Sequence, residues 1–316
     1  MEKLLPITLN NVKGFGPATI SKLLKYKPLP EKNEDIYKWF INNSSATEKM
    51  IEKVSSDYMN KAISEADNII KKSKANGIKI ITILENDYPD MFKSMPKQKP
   101  IILYVKGNIN ALYEPCIAII GTTNPSEKGI RVGKRLAEIL TSKYKYNIVS
   151  GLALGCDTAG HEGCLTANGK TIAVMPCGLD IIYPASNKEL ANRIIEKNGC
   201  LVSEYPLGTK PNKGYFLKRD RLQSGLSKAV IVIETEETGG TMETVKCGLN
   251  QKRIIACYEE DINIPTMEGN KKLINEGKAM AIRNAEDIEK LVDKIKKINF
   301  NENNTEKTQL NIFQKD

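Results

Sequence analysis

Residues 117–151 read IAIIGTTNPSEKGIRVGKRLAEILTSKYKYNIVSG, and this stretch decides the fold. Ile117–Ile120 is a short apolar, largely β-branched run that stops at Gly121. Gly129–Lys143 has a helical pattern, and Asn147–Ser150 returns to an apolar run that stops at Gly151. The alternation continues on both sides. Further runs lie at Ile78–Leu84, Ile101–Val105, Thr171–Met175, Cys200–Ser203, Ala229–Glu234 and Arg253–Cys257, with helical patterns at Asn187–Asn198 and Thr241–Asn250. Near-continuous apolar strands separated by helices argue a parallel sheet covered on both faces. The expected class is α/β, a doubly wound and mostly parallel sheet with right-handed crossovers.

The ends of the chain differ from this core. Residues 1–76 read as helical. Val12-Lys13-Gly14-Phe15-Gly16-Pro17 places two glycines and a proline before a second helical stretch, which suits the hairpin of a helix-hairpin-helix element. The turn's backbone N–H groups can hold a DNA phosphate, or the element can serve packing alone. Glu65–Asn76 is amphipathic, with Gly77 placed to end the helix. From Asn299 the chain is polar, NFNENNTEKT, and reads as a linker. The predicted division is a helical domain over 1–76, the α/β domain over 77–298 and a flexible tail over 299–316.

Composition narrows the function. The formal net charge is +9 and the pI about 9.0, which favours polyanions or anionic surfaces. No apolar run approaches the ~20 residues that span a bilayer, and MEKLLPITLN lacks a signal-peptide core, so a cytoplasmic protein with no membrane role is expected. The seven cysteines form no CxxC pair and the chain has one histidine, His161. Reduced thiols, no metal site and no cofactor are expected. A single histidine also leaves little for a hydrolase triad.

Ligands of doubly wound folds bind beyond the carboxyl ends of the strands. Five segments there are notable: Gly121–Pro125, Gly151–Asp157, Pro176–Asp180, Glu204–Arg221 and Thr238–Thr241. Glycines at helix starts expose N–H groups to an anion, so Gly121 with Thr122, and Gly239-Gly240-Thr241, are candidate phosphate seats; the same glycines also permit tight turns. Within Glu204–Arg221, read as a loop, the cations Lys213, Arg219 and Arg221 are interleaved with Tyr215 and Phe216. Single-strand binding pairs cations that follow the backbone with rings on which bases stack. Alternatively, Phe216 is buried and the arginines pair with Asp220 or Glu204. Asp157 and His161, four apart, share a helix face; local capping and packing are expected of them rather than acid–base chemistry. Glu243 offsets the dipole of the helix it starts.

Taken together, these residues resemble the DNA-processing protein A (DprA/Smf) family. The resemblance rests on Asp87-Tyr88-Pro89, Leu103–Gly107, Ala118–Gly121, Val149–Ala153, Gly155-Cys156-Asp157, His161, Gly169–Val174, Gly178-Leu179-Asp180, Tyr183-Pro184, Ser203–Pro206, Phe216–Arg221 and Gly225-Leu226-Ser227. It implies a Rossmann-like domain behind a helix-hairpin-helix/SAM-like one. It further implies a non-enzymatic homodimer that protects single-stranded DNA and assists RecA recombinase loading in DNA uptake and recombination. Three positions depart from the family. Thr123 replaces an arginine, Asp220 replaces the asparagine of Arg-Asn-Arg, and Gly239-Gly240-Thr241 replaces Ser-Gly-Ser. The tail is too short for the winged helix that ends many relatives. The competing expectation is a nucleotide sensor or a nucleotide phosphoribohydrolase-like enzyme, with Glu243 or Asp157 acting on a glycosidic bond.

Near the end of the chain, Gln309-Leu310-Asn311-Ile312-Phe313 resembles the short peptide with which bacterial replication and repair proteins dock on the DNA sliding clamp. Leu310, Ile312 and Phe313 suit an apolar pocket and the Gln309 amide suits its rim. Folding back on the protein's own surface is the alternative.

Overall fold

The computed structural model describes residues 1–260 and 265–298. It opens with α1 (Leu4–Asn11), α2 (Pro17–Leu23), α3 (Asp35–Ile41), α4 (Glu48–Lys53) and α5 (Ser56–Ala75). The Gly14–Gly16 hairpin joins α1 to α2. Phe15 N–H donates to the Val12 carbonyl, and Pro17 takes the first position of α2, where a missing N–H costs nothing. Phe15 turns inward, its ring centroid 5.9 Å from that of Phe40. α5 ends at Ala75, just before Asn76-Gly77.

Then follow β1 (Ile78–Thr82), α6 (Asp90–Lys93), β2 (Ile102–Gly107), β3 (Cys116–Ile120), α7 (Glu127–Ser142) and β4 (Asn147–Ser150). The chain continues through α8 (Cys156–Thr166), β5 (Thr171–Met175), α9 (Lys188–Glu196), β6 (Cys200–Ser203), α10 (Lys213–Leu226) and β7 (Ala229–Val232). It closes with α11 (Gly240–Asn250), β8 (Ile254–Tyr258), α12 (Glu268–Asn275), β9 (Met280–Ile282) and α13 (Ala285–Lys297). The strands form one sheet in the order β1-β2-β6-β5-β4-β3-β7-β8-β9. β1–β2 and β2–β6 are antiparallel and every other pairing is parallel. Winding runs outward both ways from β3, toward β4 on one side and β7 on the other. That reversal is the topological switch point of a Rossmann-like sheet.

Alternation along the strands feeds two faces. Ala118, Ile120, Val149, Val174, Val232 and Cys257 enter one cluster with Leu222 and Leu226 of α10 and Val245 of α11. On the opposite face, Ile117, Ile119, Ile148 and Ile231 meet Leu136 and Leu140 of α7 and Leu291 of α13. Farther along that face, Ile102, Tyr104 and Met175 meet α9 and the N-terminal helices, through residues such as Leu5, Leu9 and Met59. The N-terminal helices therefore share their core with the sheet.

Two elements escape the pattern read from the sequence. β9 has three residues, two of them only half-buried, so it is too short to read as an apolar run. α10 begins inside the segment expected as a loop and runs five residues past it. From Arg219 to Leu226 it is buried all round, charged residues included, so it lacks the apolar stripe of a surface helix. Six cysteines are buried, Cys247 is half-buried, and all seven are free thiols. Among the described residues, no helix is long and apolar enough to cross a membrane.

Candidate ligand crevice

A cavity of about 610 Å³ opens at the switch point. The turn after β3 contributes Gly121, Thr122 and Thr123, and the turn after β4 contributes Gly151, Leu154 and Asp157. Tyr183 follows β5, α10 brings Phe216, Arg219, Asp220 and Gln223, and the segment from β7 into α11 brings Thr235, Glu236, Thr238–Thr241 and Thr244. Gly239 caps α11 with φ 113°, a conformation that glycine adopts without cost, and so turns the first free N–H groups of an eleven-residue helix toward the cavity.

The helical spacing of α10 sorts its candidates. Phe216, Arg219, Asp220 and Gln223 recur every three or four residues and face the cavity. Arg221 does not, which corrects the expectation that it meets a ligand there. Its guanidinium donates to both Glu204 carboxylate oxygens at 2.6 and 2.7 Å, and its Nε donates to the Gln98 carbonyl at 3.0 Å. Tyr215 also stands outside the lining, stacked on Tyr205 with centroids 4.1 Å apart. Lys213 is exposed at the first turn of α10, where the Asn212 side chain caps the helix by accepting from Tyr215 N–H. Gly121, Thr122, Gly239, Gly240 and Thr241 stand together as expected. Gln309, Leu310, Ile312 and Phe313 lie outside the described residues.

Arg219 is the cation of the lining. It is 6% exposed, its Nη1 donates to the Val174 carbonyl at 3.2 Å, and its Nε lies 3.2 Å from Asp220 Oδ1. Gly151 allows it to lie there, because a Cβ at that position would overlap the guanidinium. Asp157 accepts from the Gly151 and Ala153 N–H groups at 3.0 and 3.3 Å, so it braces the loop before its helix rather than capping the helix itself. Burial raises the Asp157 pKa, against the pull of Arg219. His161 Nδ1 sits 2.6 Å from Thr171 Oγ1, which itself donates to the Ile148 carbonyl; Nδ1 is therefore the donor. Burial, with Arg219 nearby, pushes the imidazole down to about 3. Burial raises Asp220 to about 7, with Arg219 opposing the shift. Glu243 pairs with Lys246 at 2.6 Å and is not part of the lining.

Sequence reasoning missed several groups. Leu154 and Tyr183 are each 47% exposed at the cavity, and Tyr183 meets Phe216 edge-on at 5.3 Å. Glu234, fully buried just past β7, accepts from the Ser126 N–H and hydroxyl at 3.0 and 2.5 Å and from the Thr266 hydroxyl at 2.6 Å. Its carbonyl also accepts from Thr122 N–H at 2.8 Å. Only its place at the end of an apolar strand hinted at burial.

Fold and site define a Rossmann-type protein with a ligand crevice at its switch point. The pattern of the DNA recombination-mediator protein A family matches residues 79–293, and the chain belongs to that family. Among relatives, DNA processing protein DprA of Bacillus subtilis is 37% identical over 221 residues, covering 70% of this chain and 73% of that protein. The structure of DNA processing protein A from Streptococcus pneumoniae superposes with a TM-score of 0.73 at 27% identity, covering 91% of this chain and 95% of the other. That of Helicobacter pylori, described for its single-stranded DNA binding mode, gives 0.60 at 31% identity over 70% of this chain and 96% of the other.

Proposed function

We propose that the crevice binds single-stranded DNA, protects it and assists RecA recombinase loading onto it. The observation that carries this reading is the meeting, in one cavity, of two glycine turns, the Arg219 guanidinium, the exposed ring of Tyr183 and the half-buried ring of Phe216. Turns and guanidinium suit successive phosphates, and the rings offer bases a stacking surface. Of six lining threonines, Thr235 and Thr244 give their hydroxyl protons to backbone carbonyls, while Thr122, Thr123, Thr238 and Thr241 add hydroxyls to the wall. Exposed Lys213 extends the track outside the cavity, and among the described residues it forms no ion pair. A homodimer would set two crevices side by side, and the Gln309–Phe313 peptide would dock the protein on the sliding clamp. We place it in the cytoplasm.

The role is binding rather than catalysis. Asp157 holds its loop by accepting from the Gly151 and Ala153 N–H groups, and Glu243 pairs with Lys246. The second reading, a mononucleotide sensor or phosphoribohydrolase-like enzyme, is favoured by the three acids of the lining, Asp157, Asp220 and Glu236. Parallel titrations with an oligonucleotide and with nucleoside monophosphates separate the two. Tight oligonucleotide binding with no base release supports the first; monophosphate binding with base release supports the second.

A further inference from the structure

Asp220 is a buried carboxylate of the crevice whose place beside Arg219 a phosphate-binding role leaves unexplained. Its Oδ1 lies 3.2 Å from Arg219 Nε and accepts from Gln223 Nε2 at 3.2 Å. Its Oδ2 lies 3.8 Å from the point where a Cβ on Gly240 would stand, against the first turn of α11. The carboxylate thus stands between the cation of the lining and the helix start that turns its free N–H groups to the cavity. These are the two features an incoming phosphate would use. Around them, Arg219 Nε and Gln223 Oε1 are buried without a hydrogen-bond partner, so the floor is not a closed network of its own. A ligand or a proton has something to satisfy there.

We infer that Asp220 sets the selectivity of the crevice as a built-in anion: it occupies one phosphate seat, and the crevice takes a full phosphodiester strand only when Asp220 is protonated. The inference rests on the single-stranded DNA reading above. Arg219 and Gln223 face this carboxylate from α10, Asp157 from α8, and Glu243 and Cys247 from α11. Burial and the two neighbouring acids oppose its charge, while Arg219 favours it, which leaves the group exchanging its proton at about 7. Near Arg219, His161 stays neutral throughout that range, burial raises the Asp157 carboxyl, and burial pushes the Cys177 thiol up to about 11. Uncharged, Asp220 can hydrogen-bond to the amide of Gln223 and frees Arg219 for a ligand phosphate. Charged, it repels that phosphate across a water-poor gap, where like charges interact more strongly than in bulk water.

The test uses the full chain and a fluorescent oligothymidylate, with anisotropy titrations between about pH 6 and pH 8 at fixed salt. The protonated fraction of a group titrating near 7 changes about tenfold over that interval, so the wild-type affinity should weaken about tenfold as the pH rises. Asp220→Asn should bind independently of pH, at pH 8 as tightly as the wild type does at pH 6, about tenfold tighter than the wild type at pH 8. A wild-type affinity flat with pH overturns the inference without recourse to any variant, as does an Asp220→Asn protein no tighter at pH 8. If both proteins bind well and flatly, the single-stranded DNA reading stands and this inference fails. If neither binds at any pH, both fail.

Discussion

Arg221 and Glu204 hold each other in a two-pronged, nearly buried ion pair, with Nη1–Oε2 at 2.6 Å and Nη2–Oε1 at 2.7 Å. Two residues earlier on the same helix, Arg219 points the other way, into the crevice. The two arginines should therefore fail differently. Arg219→Ala is expected to weaken oligonucleotide binding for every sequence and to lower the salt slope by about 0.7. Arg221→Ala should leave that slope unchanged but cost about 3–5 kcal/mol of stability, because Glu204 is left buried without its partner. Salt titrations beside urea melts check both. A stable Arg221→Ala protein with a reduced slope would reverse the assignment.

The edge-on pair of Tyr183 and Phe216 predicts selectivity for unpaired bases. Removing either ring should cost about 1–3 kcal/mol of single-strand affinity, and duplex should compete poorly against the wild type. Equal competition by duplex would move attention to the N-terminal Gly14–Gly16 hairpin.

His161 should make the fold acid-sensitive. Its folded pKa, about 3, lies below the ordinary value of 6.5, so the unfolded chain takes up the proton that the folded chain refuses. The stabilisation is complete above about pH 6.5 and declines as the pH falls toward 3, by up to about 5 kcal/mol. Asp220 acts in the opposite sense. Between its ordinary 3.8 and about 7, the folded chain keeps a proton that the unfolded chain has lost, so its contribution declines as the pH rises. Because the sequence has one histidine, imidazole NMR signals report His161 alone. A ring neutral down to about pH 4 is expected; a midpoint near its ordinary value would contradict the buried, neutral assignment.

The tail carries a separate expectation. A synthetic peptide of residues 305–316 should bind the sliding clamp in the micromolar range, about −8 kcal/mol. Full-length protein carrying Leu310→Ala and Phe313→Ala should lose the clamp and keep DNA. Retained clamp binding in that variant would refute the docking peptide.

The parallel strands were readable because their burial on both faces writes apolar runs directly into the sequence, as at Ile117–Ile120 and Ala229–Val232. The turns at Gly121 and Gly151 were readable for the same reason, since each stops such a run. α10 was not readable. Arg219, Asp220, Arg221 and Gln223 are buried polar residues, the two arginines held by distant groups such as Glu204, Gln98 and Val174, and pattern reading assigns charged residues to the surface. That one misreading put Arg221 in the crevice. Tyr183 and Leu154 were missed because nothing local distinguishes a ring or leucine at a cavity mouth from one in a core.

Glu234 gives the crevice a mechanical character. It ties the strand on one side of the switch point to the start of α7 on the other through Ser126, and to the segment before α12 through Thr266. The two walls are thus riveted at the base of the gap between them. Bracing of this kind favours a gap of fixed width over a closing jaw. A strand entering it pays for its own ordering but little for that of the protein, so differences among ligands should surface mainly in how fast they leave.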